Sequence, residues 1–270
     1  NTYSNMTYQE SAPKAVPTYT KAQLKKLAHD REIRILLAIE SGSRAWGFPS
    51  PDSDFDVRII YAHKPAWYWS IDNHKDTFSY FEGKLLDFSG WELRKVLRLV
   101  KRSNMSPAEW MQSPIVYQEE NGFRSKLAGL VAHYFSPYHT VNHYRGIAKN
   151  SFTSISNGGE KIKLKKLFYV IRPLLAARYV IHHKKVPPMN IFPLLDEING
   201  NSMKNRIIEL IALKETVDEG YFYEMETDVL HFIQNLIAEV DQLVLPKEKK
   251  EQDGEPLNAY FRELINVKFG

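Results

Sequence analysis

The sequence predicts an α/β (α+β) protein, a small mixed-sheet domain followed by an all-helical one, and three observations carry that prediction. Strand and helix signals mix in the first third of the 270 residues. Beyond about Asn104 the apolar residues recur at helical spacing, punctuated by turn chemistry. The strand-like runs are short, rich in β-branched residues and bounded by Gly, Ser and Pro. At about 150 residues per domain the length suits two. The expected division is a flexible N-terminal segment at 1–19, a mixed-sheet domain at 20–103 and a helical domain at 104–270.

Taken in order, Thr20 is placed to cap a short helix that runs to Glu32. The run from Ile33 to Ile39 has the composition of a buried strand and ends in the turn Ser41-Gly42-Ser43. A second strand, Asp54 to Tyr61, alternates Asp54, Asp56, Arg58 and Ile60 on one face with Phe55, Val57, Ile59 and Tyr61 on the other. Phe78 to Phe81 and Lys84 to Phe88, linked through Glu82-Gly83, read as a hairpin. Ser89-Gly90-Trp91-Glu92 has capping-box spacing and predicts a helix to about Arg102, and Ser106-Pro107-Ala108-Glu109 predicts another with Pro at its first position. Further helices are expected at 123–134, 137–153, 161–183, 202–215, 225–245 and 257–267, with Pro187-Pro188 and 246–256 as loops.

Composition excludes several classes. Hydrophobic residues make up 43% and charged residues 25%, as in ordinary globular chains, which rules out collagenous and wholly disordered readings. No stretch approaches the 18 or so apolar residues of a membrane span, so no membrane association is expected. The absence of cysteine removes disulfide scaffolds, thiolate metal sites and cysteine nucleophiles together. The opening stretch is polar and lacks the pattern of a secretory signal, so a cytoplasmic location is expected. A net charge of +4 is too small for coating nucleic acid, but charge is unevenly spread. Between Lys161 and Lys185 stand Lys161, Lys163, Lys165, Lys166, Arg172, Arg178, Lys184 and Lys185 with no acidic residue, which points to an anionic neighbour.

The sharpest feature is Gly42-Ser43, then ten residues, then Asp54-Phe55-Asp56. Two aspartates spaced by two on a strand direct both carboxylates out of one face, where they repel one another unless a cation neutralises them. Hard oxygen donors suit Mg²⁺. A third carboxylate on a neighbouring strand would complete a site for two metals, and Asp87 is well placed for it. The Gly42-Ser43 turn can offer backbone N–H groups and a hydroxyl to a phosphate.

With these residues the chain resembles the DNA polymerase β nucleotidyltransferase superfamily. The blocks from Glu40 to Gly47, Asp52 to Arg58, Gly90 to Lys95 and Lys166 to Arg178 narrow the resemblance to the predicted nucleotidyltransferases associated with RNA repair pathways. It runs from about Ile33 to the Pro187-Pro188 loop. The resemblance implies that a nucleoside triphosphate donates its monophosphate to a hydroxyl and releases pyrophosphate. It implies two Mg²⁺ ions, with Mn²⁺ as an alternative, both bound by Asp54 and Asp56, and Asp87 on the metal beside the attacking hydroxyl. Gly42 and Ser43 would cradle the β- and γ-phosphates, with Arg44 as a helper. One metal lowers the hydroxyl pKa while the other neutralises charge on the pyrophosphate.

On a helical wheel Lys165, Tyr169, Arg172 and Ala176 share a stripe, and Leu164, Leu167, Ile171, Leu174 and Leu175 form an apolar face. The stripe is expected to turn Lys165, Lys166 and Arg172 towards a triphosphate or an acceptor strand, with Tyr169 available to stack on a base. Plainer readings apply elsewhere. Lys161 and Lys163 read as a solvated face, Arg58 as a structural partner of one aspartate, and most tryptophans as packing, with Trp46 bordering the nucleotide. His139 and His143, one helical turn apart, lack a third ligand and read as helix surface.

The function these readings favour is Mg-dependent transfer of NMP from an NTP donor to an RNA 3′ end, in RNA repair or tRNA modification. The alternatives are transfer to a protein or a small molecule, of the toxin–antitoxin or aminoglycoside type, and a catalytically silent nucleotide- or RNA-binding module. The carboxylate cluster argues against the last, because a binder gains nothing from like charges that destabilise it.

Overall fold

The computed structural model of the protein describes residues 12–83, 85–156, 161–243, 245–247 and 253–266. Its first half contains helix α1 (Ala12–Asp30), strand β1 (Ile33–Glu40), the short helix α2 (Gly42–Trp46), β2 (Phe55–His63), α3 (Pro65–Tyr68), β3 (Thr77–Glu82), β4 (Leu86–Glu92), α4 (Leu93–Lys101), α5 (Met105–Gln112) and β5 (Val116–Glu119). These strands make one mixed sheet in the order β3-β4-β2-β1-β5. All neighbours are antiparallel except β2 and β4, which run parallel. β1 and β2 occupy the middle because their runs are apolar on both faces over most of their length, as strands covered on both sides must be.

The second half continues with α6 (Phe123–Tyr134), α7 (Pro137–Ser156), β6 (Lys161–Lys163), α8 (Leu164–His183), α9 (Ile191–Leu194), α10 (Asn201–Thr216), β7 (Phe222–Glu224), α11 (Thr227–Gln242) and α12 (Glu255–Ile265), with β6 and β7 paired as a two-stranded ribbon. α8 is its hub. Every residue from Val170 to Val180 except Tyr179 is buried, and a helix covered on all sides must lie inside the helical layer.

Each face of the sheet has its own core. α1 lays Leu24 and Leu27 over Ile35, Val57, Ile59 and Phe88 on one face. On the other, Leu37, Ile39 and Ile60 run into a continuous apolar core with α4, α6 and α8. Asp56 and Arg58 also point to this second side, at the end of the sheet where β2 begins, so the aspartates meet the helical layer rather than bulk water.

Several elements differ from the sequence expectation. α1 begins at Ala12, so Thr20 is buried inside the helix instead of capping it, and the segment expected to be flexible at 1–19 contributes residues 12–19 to that helix. Residues 1–11 of that segment lie outside the described residues, as do Lys84, Val244, residues 248–252 and Val267 within other expected elements. Ser89 does not cap a helix: β4 continues to Glu92, whose own carboxylate accepts the N–H groups of Arg94 at 2.8 Å and Lys95 at 3.3 Å. α5 is capped by Asn104 rather than Ser106, which leaves Pro107 inside the first turn. The chain beyond Asn104 is not all helical. β5 adds a strand to the main sheet beside β1, and β6 and β7 pair in front of α8. These strands are three or four residues long, too short to declare a period of two, and exist through their partners.

Candidate active site

The site is built where β1 ends and β2 begins. After Glu40 the chain turns sharply, and Ser41 N–H donates to the Asp56 carbonyl at 2.8 Å, binding the turn to β2. Gly42 follows with φ of +61°, a left-handed conformation that favours glycine. A Cβ there would lie 1.8 Å from Asp56 Oδ2. Gly42 therefore serves the turn twice, through its backbone angle and through the room it leaves for the carboxylate.

Asp54 precedes β2 and Asp56 is its second residue. The parallel register sets Asp56 beside Asp87 on β4, so three carboxylates gather across two strands. Arg58 lies on the same face as Asp56. Its guanidinium donates to Asp56 Oδ1 at 2.5 Å, to Asp87 Oδ2 at 2.9 Å and to the Asp87 carbonyl at 3.1 Å. The sequence placed Arg58 against one aspartate; the structure places it against two. Asp87 Oδ1 is buried without a hydrogen-bond partner.

Asp54 and Asp56 hold protons more tightly than usual. Burial pushes the Asp56 carboxyl up to about 6, opposed by Arg58 and reinforced by Asp54, Asp87 and Glu219. Burial, then Glu219 and Asp87, raise Asp54 as well, and Lys165 opposes them. Behind them stands Glu40, fully buried. Its Oε1 accepts the Asp56 N–H at 2.9 Å, and its Oε2 accepts the Tyr117 hydroxyl at 2.6 Å. Burial drives its own carboxyl up to about 7. The peptide of Asp56 is thus pinned from both sides, by Glu40 at its N–H and by Ser41 at its carbonyl.

A second wall is polar and partly cationic. Ser43 Oγ donates to Ser53 Oγ at 3.1 Å, and the Ser50 N–H reaches the same Ser53 oxygen at 2.9 Å. Ser53 then donates to Glu219 Oε1 at 2.9 Å, and Glu219 Oε2 pairs with Lys165 Nζ at 2.7 Å. Lys214, 1% exposed, donates from Nζ to Ser50 Oγ at 2.9 Å. Ser50, Lys214 and Glu219 were not among the residues read from the sequence, nor was any role for Glu40 or Ser53. The serines had a signal in the turn-rich Pro49-Ser50-Pro51-Asp52-Ser53 loop next to Asp54. Lys214 and Glu219 had none, since they arrive from the end of α10 and the link that follows it.

Of the residues expected to bind nucleotide, Gly42, Ser43 and Lys165 surround the aspartates. Tyr169, 38% exposed, lies nearby and edge-on to Trp46 at 5.9 Å between ring centroids. Arg44 is engaged otherwise. Its Nε and terminal nitrogen donate to the carbonyls of Asp54 and Ser53 at 3.2 and 2.5 Å, and its guanidinium lies 3.9 Å over the Phe55 ring. It shapes the loop that delivers Asp54. Arg172 does not share the cleft with Lys165 either. It is 5% exposed, pairs with Glu109 at 2.8 Å, donates to the Met189 carbonyl at 2.9 Å and lies 4.6 Å from the Trp46 ring. The helical stripe divides because the middle of α8 is enclosed by neighbours that a wheel cannot show. Lys166 is half-exposed, and one residue on from Lys165 its side chain is turned by about 100° around the helix.

As the side chains stand, among the described residues no three His, Cys, Asp or Glu groups close around a metal position, the His139 and His143 pair included. Arg58 is the cation between Asp56 and Asp87. The donor chemistry nevertheless fits a hard divalent ion: mutually repelling carboxylates with raised pKa values, and one buried carboxylate oxygen with no partner. Among the described residues no helix is long and apolar enough to cross a membrane.

The sequence pattern of the RNA repair pathway DNA polymerase beta family matches residues 18–263. The uncharacterized protein YcgL of Bacillus subtilis (strain 168) is 39% identical over 248 residues, covering 91% of this chain and 94% of that protein. A crystal structure of a nucleotidyltransferase-like protein from Exiguobacterium sibiricum 255-15 aligns with 92% of this chain and 80% of its own, at 13% identity and a TM-score of 0.33.

Proposed function

We propose a reaction for this chain from one premise: it belongs to the RNA repair pathway DNA polymerase beta family. The reaction is transfer of a nucleoside monophosphate from an NTP to a hydroxyl, with an RNA 3′ end as acceptor. The observation that carries it is the set of Asp54, Asp56 and Asp87 gathered by the parallel register against the Gly42-Ser43 turn.

In this reading Asp54, Asp56 and Asp87 would hold Mg²⁺, which when bound neutralises charge on the leaving pyrophosphate and lowers the pKa of the acceptor hydroxyl. Ser43 and the backbone of the turn cradle the donor's phosphates, and Lys165 adds a positive charge beside them. The acceptor oxygen forms a bond to the α-phosphorus, the bond from that phosphorus to the oxygen bridging to the β-phosphate breaks, and pyrophosphate leaves. The acceptor proton departs towards Asp87. Glu40, Arg44 and Arg58 touch no reacting atom in this scheme. They position it, by fixing the Asp56 peptide, the Asp54 loop and the spacing of Asp56 and Asp87. Such alignment is a large part of what phosphoryl-transfer sites contribute.

The test incubates the protein with Mg²⁺, each α-³²P-labelled NTP and a panel of RNA, tRNA and protein acceptors. Label on RNA with the wild type but not with Asp54→Asn is the expected result. Label on protein instead moves the acceptor class, and equal labelling by Asp54→Asn removes the carboxylate mechanism.

A further inference from the structure

Glu219 has an unusual position for a residue on a surface link. The link between α10 and β7 is exposed at Asp218, Gly220 and Tyr221, yet Glu219 turns inward. One carboxylate oxygen accepts from Ser53 Oγ at 2.9 Å and the other pairs with Lys165 Nζ at 2.7 Å. Its own N–H donates to Asp52 Oδ1 at 2.8 Å. The Ser53 hydroxyl is bonded in turn to Ser43, and the buried ammonium of Lys214 lies within the electrostatic reach of Glu219.

Charge makes the placement informative. Asp54 and Asp56 both feel Glu219 as a repulsion, so it adds a negative charge to a cleft already rich in them. That arrangement is favourable only where local cations and donors call for an anion. Lys165, Ser53 and Lys214 do, and among the described residues Lys214 has no carboxylate at ion-pair distance. A carboxylate whose two oxygens accept from a hydroxyl and an ammonium reproduces two oxygen contacts of a phosphate group.

We infer that Glu219 is an internal phosphate surrogate: its carboxylate fills the seat of the donor's terminal phosphate, with Ser53 and Lys165 as shared ligands, and leaves that seat when a polyphosphate binds. This rests on the donor reading proposed above. Displacing Glu219 carries the same cost for every ligand, whereas the return grows with the charge delivered. A triphosphate therefore displaces it and a single phosphate does not, which makes Glu219 a specificity-determining residue for the donor's phosphate chain. Room for this displacement lies at Asp218 and Gly220, which are exposed, with nothing within 4 Å of where a Cβ on Gly220 would be, while the Tyr221 carbonyl stays anchored by the Leu164 N–H at 3.0 Å.

The experiment is calorimetric titration of the full chain with inorganic tripolyphosphate and with inorganic phosphate. Glu219→Gln is expected to bind tripolyphosphate roughly tenfold more tightly than wild type, and to admit inorganic phosphate that wild type excludes. Asp52→Ala, which frees the Glu219 N–H without touching the seat, is expected to shift affinity the same way. In the wild type, amide exchange at 217–221 speeds up on saturation with tripolyphosphate. Tripolyphosphate bound by wild type, with neither variant tighter or with exchange at 217–221 slowed, overturns this inference alone. Failure of all three proteins to bind tripolyphosphate, together with no pyrophosphate release from any NTP, overturns the donor reading and this inference with it.

Discussion

Replacing Gly42 by alanine asks whether the turn and the second aspartate are built as one unit. The left-handed backbone at φ +61° costs an alanine about 1–2 kcal/mol. On a chain of this length that lowers the thermal midpoint by roughly 3 °C. The new methyl group would also meet Asp56 Oδ2 at 1.8 Å, where real contacts stop near 3.0 Å, so something must yield by more than 1 Å. Asp56 has little slack. Arg58 holds its other oxygen at 2.5 Å, Glu40 its N–H at 2.9 Å and Ser41 its carbonyl at 2.8 Å. A displacement of about 1 Å in a reacting constellation lowers turnover by about 10²-fold, equal to about 2.7 kcal/mol of activation free energy. Pyrophosphate release with Mg²⁺, NTP and acceptor RNA measures the turnover, thermal unfolding measures the fold, and Mn²⁺ binding followed by electron paramagnetic resonance reports on the carboxylates without catalysis. The expected pattern is a large loss of turnover and Mn²⁺ affinity on a nearly intact fold. Gly42→Ala with turnover within about threefold of wild type would refute the argument that Asp56 is wedged against the turn.

Three further predictions follow from the site and its surroundings. Arg172→Ala removes a buried cation from the partly buried Glu109 carboxylate and is expected to lose about 3 kcal/mol in denaturant unfolding, whereas Lys165→Ala loses under about 1 kcal/mol but weakens tripolyphosphate binding and flattens its salt dependence; the opposite pattern would make Arg172 the ligand-facing cation. Asp87→Asn is expected to slow turnover by about 10²–10⁴-fold with tripolyphosphate affinity unchanged, and undiminished turnover would exclude Asp87 from the chemistry. Burial, aided by His74, holds the His63 imidazole down to about 4 from 6.5, so between those values the unfolded chain binds more protons and stability is lost as pH falls, by up to about 3 kcal/mol; His63→Phe, which keeps a ring over Trp67, should flatten that slope in unfolding titrations from pH 7 to 4, and an unchanged slope would count against His63 as its source.

How much of this was legible in the sequence depends on the distance over which each signal acts. The aspartate face of β2, the glycine demanded by the turn before it, the β3–β4 hairpin and the span of α6 are consequences of backbone geometry within a few residues, and all were readable. Capping was read less well because several residues compete for each helix start. Glu92 and Asn104 won through the path the backbone takes after β4 and after α4, where Ser89 and Ser106 had the expected spacing. The period of β2 showed which way Asp56 and Arg58 face but could not show what stands opposite them.

The sequence by itself pointed to the two aspartates, the Gly-Ser turn before them and Asp87 as a candidate third carboxylate on a neighbouring strand, because residue type and a period of two are read locally. Only the tertiary structure decided that Arg58 bridges Asp56 and Asp87, that Arg172 is enclosed as a strut while Lys165 reaches the cleft, and that Glu40, Lys214 and Glu219 belong to the site at all. Those outcomes depend on strand register and on helices packed from more than a hundred residues away, where burial and charge pairing act between groups that no local pattern connects.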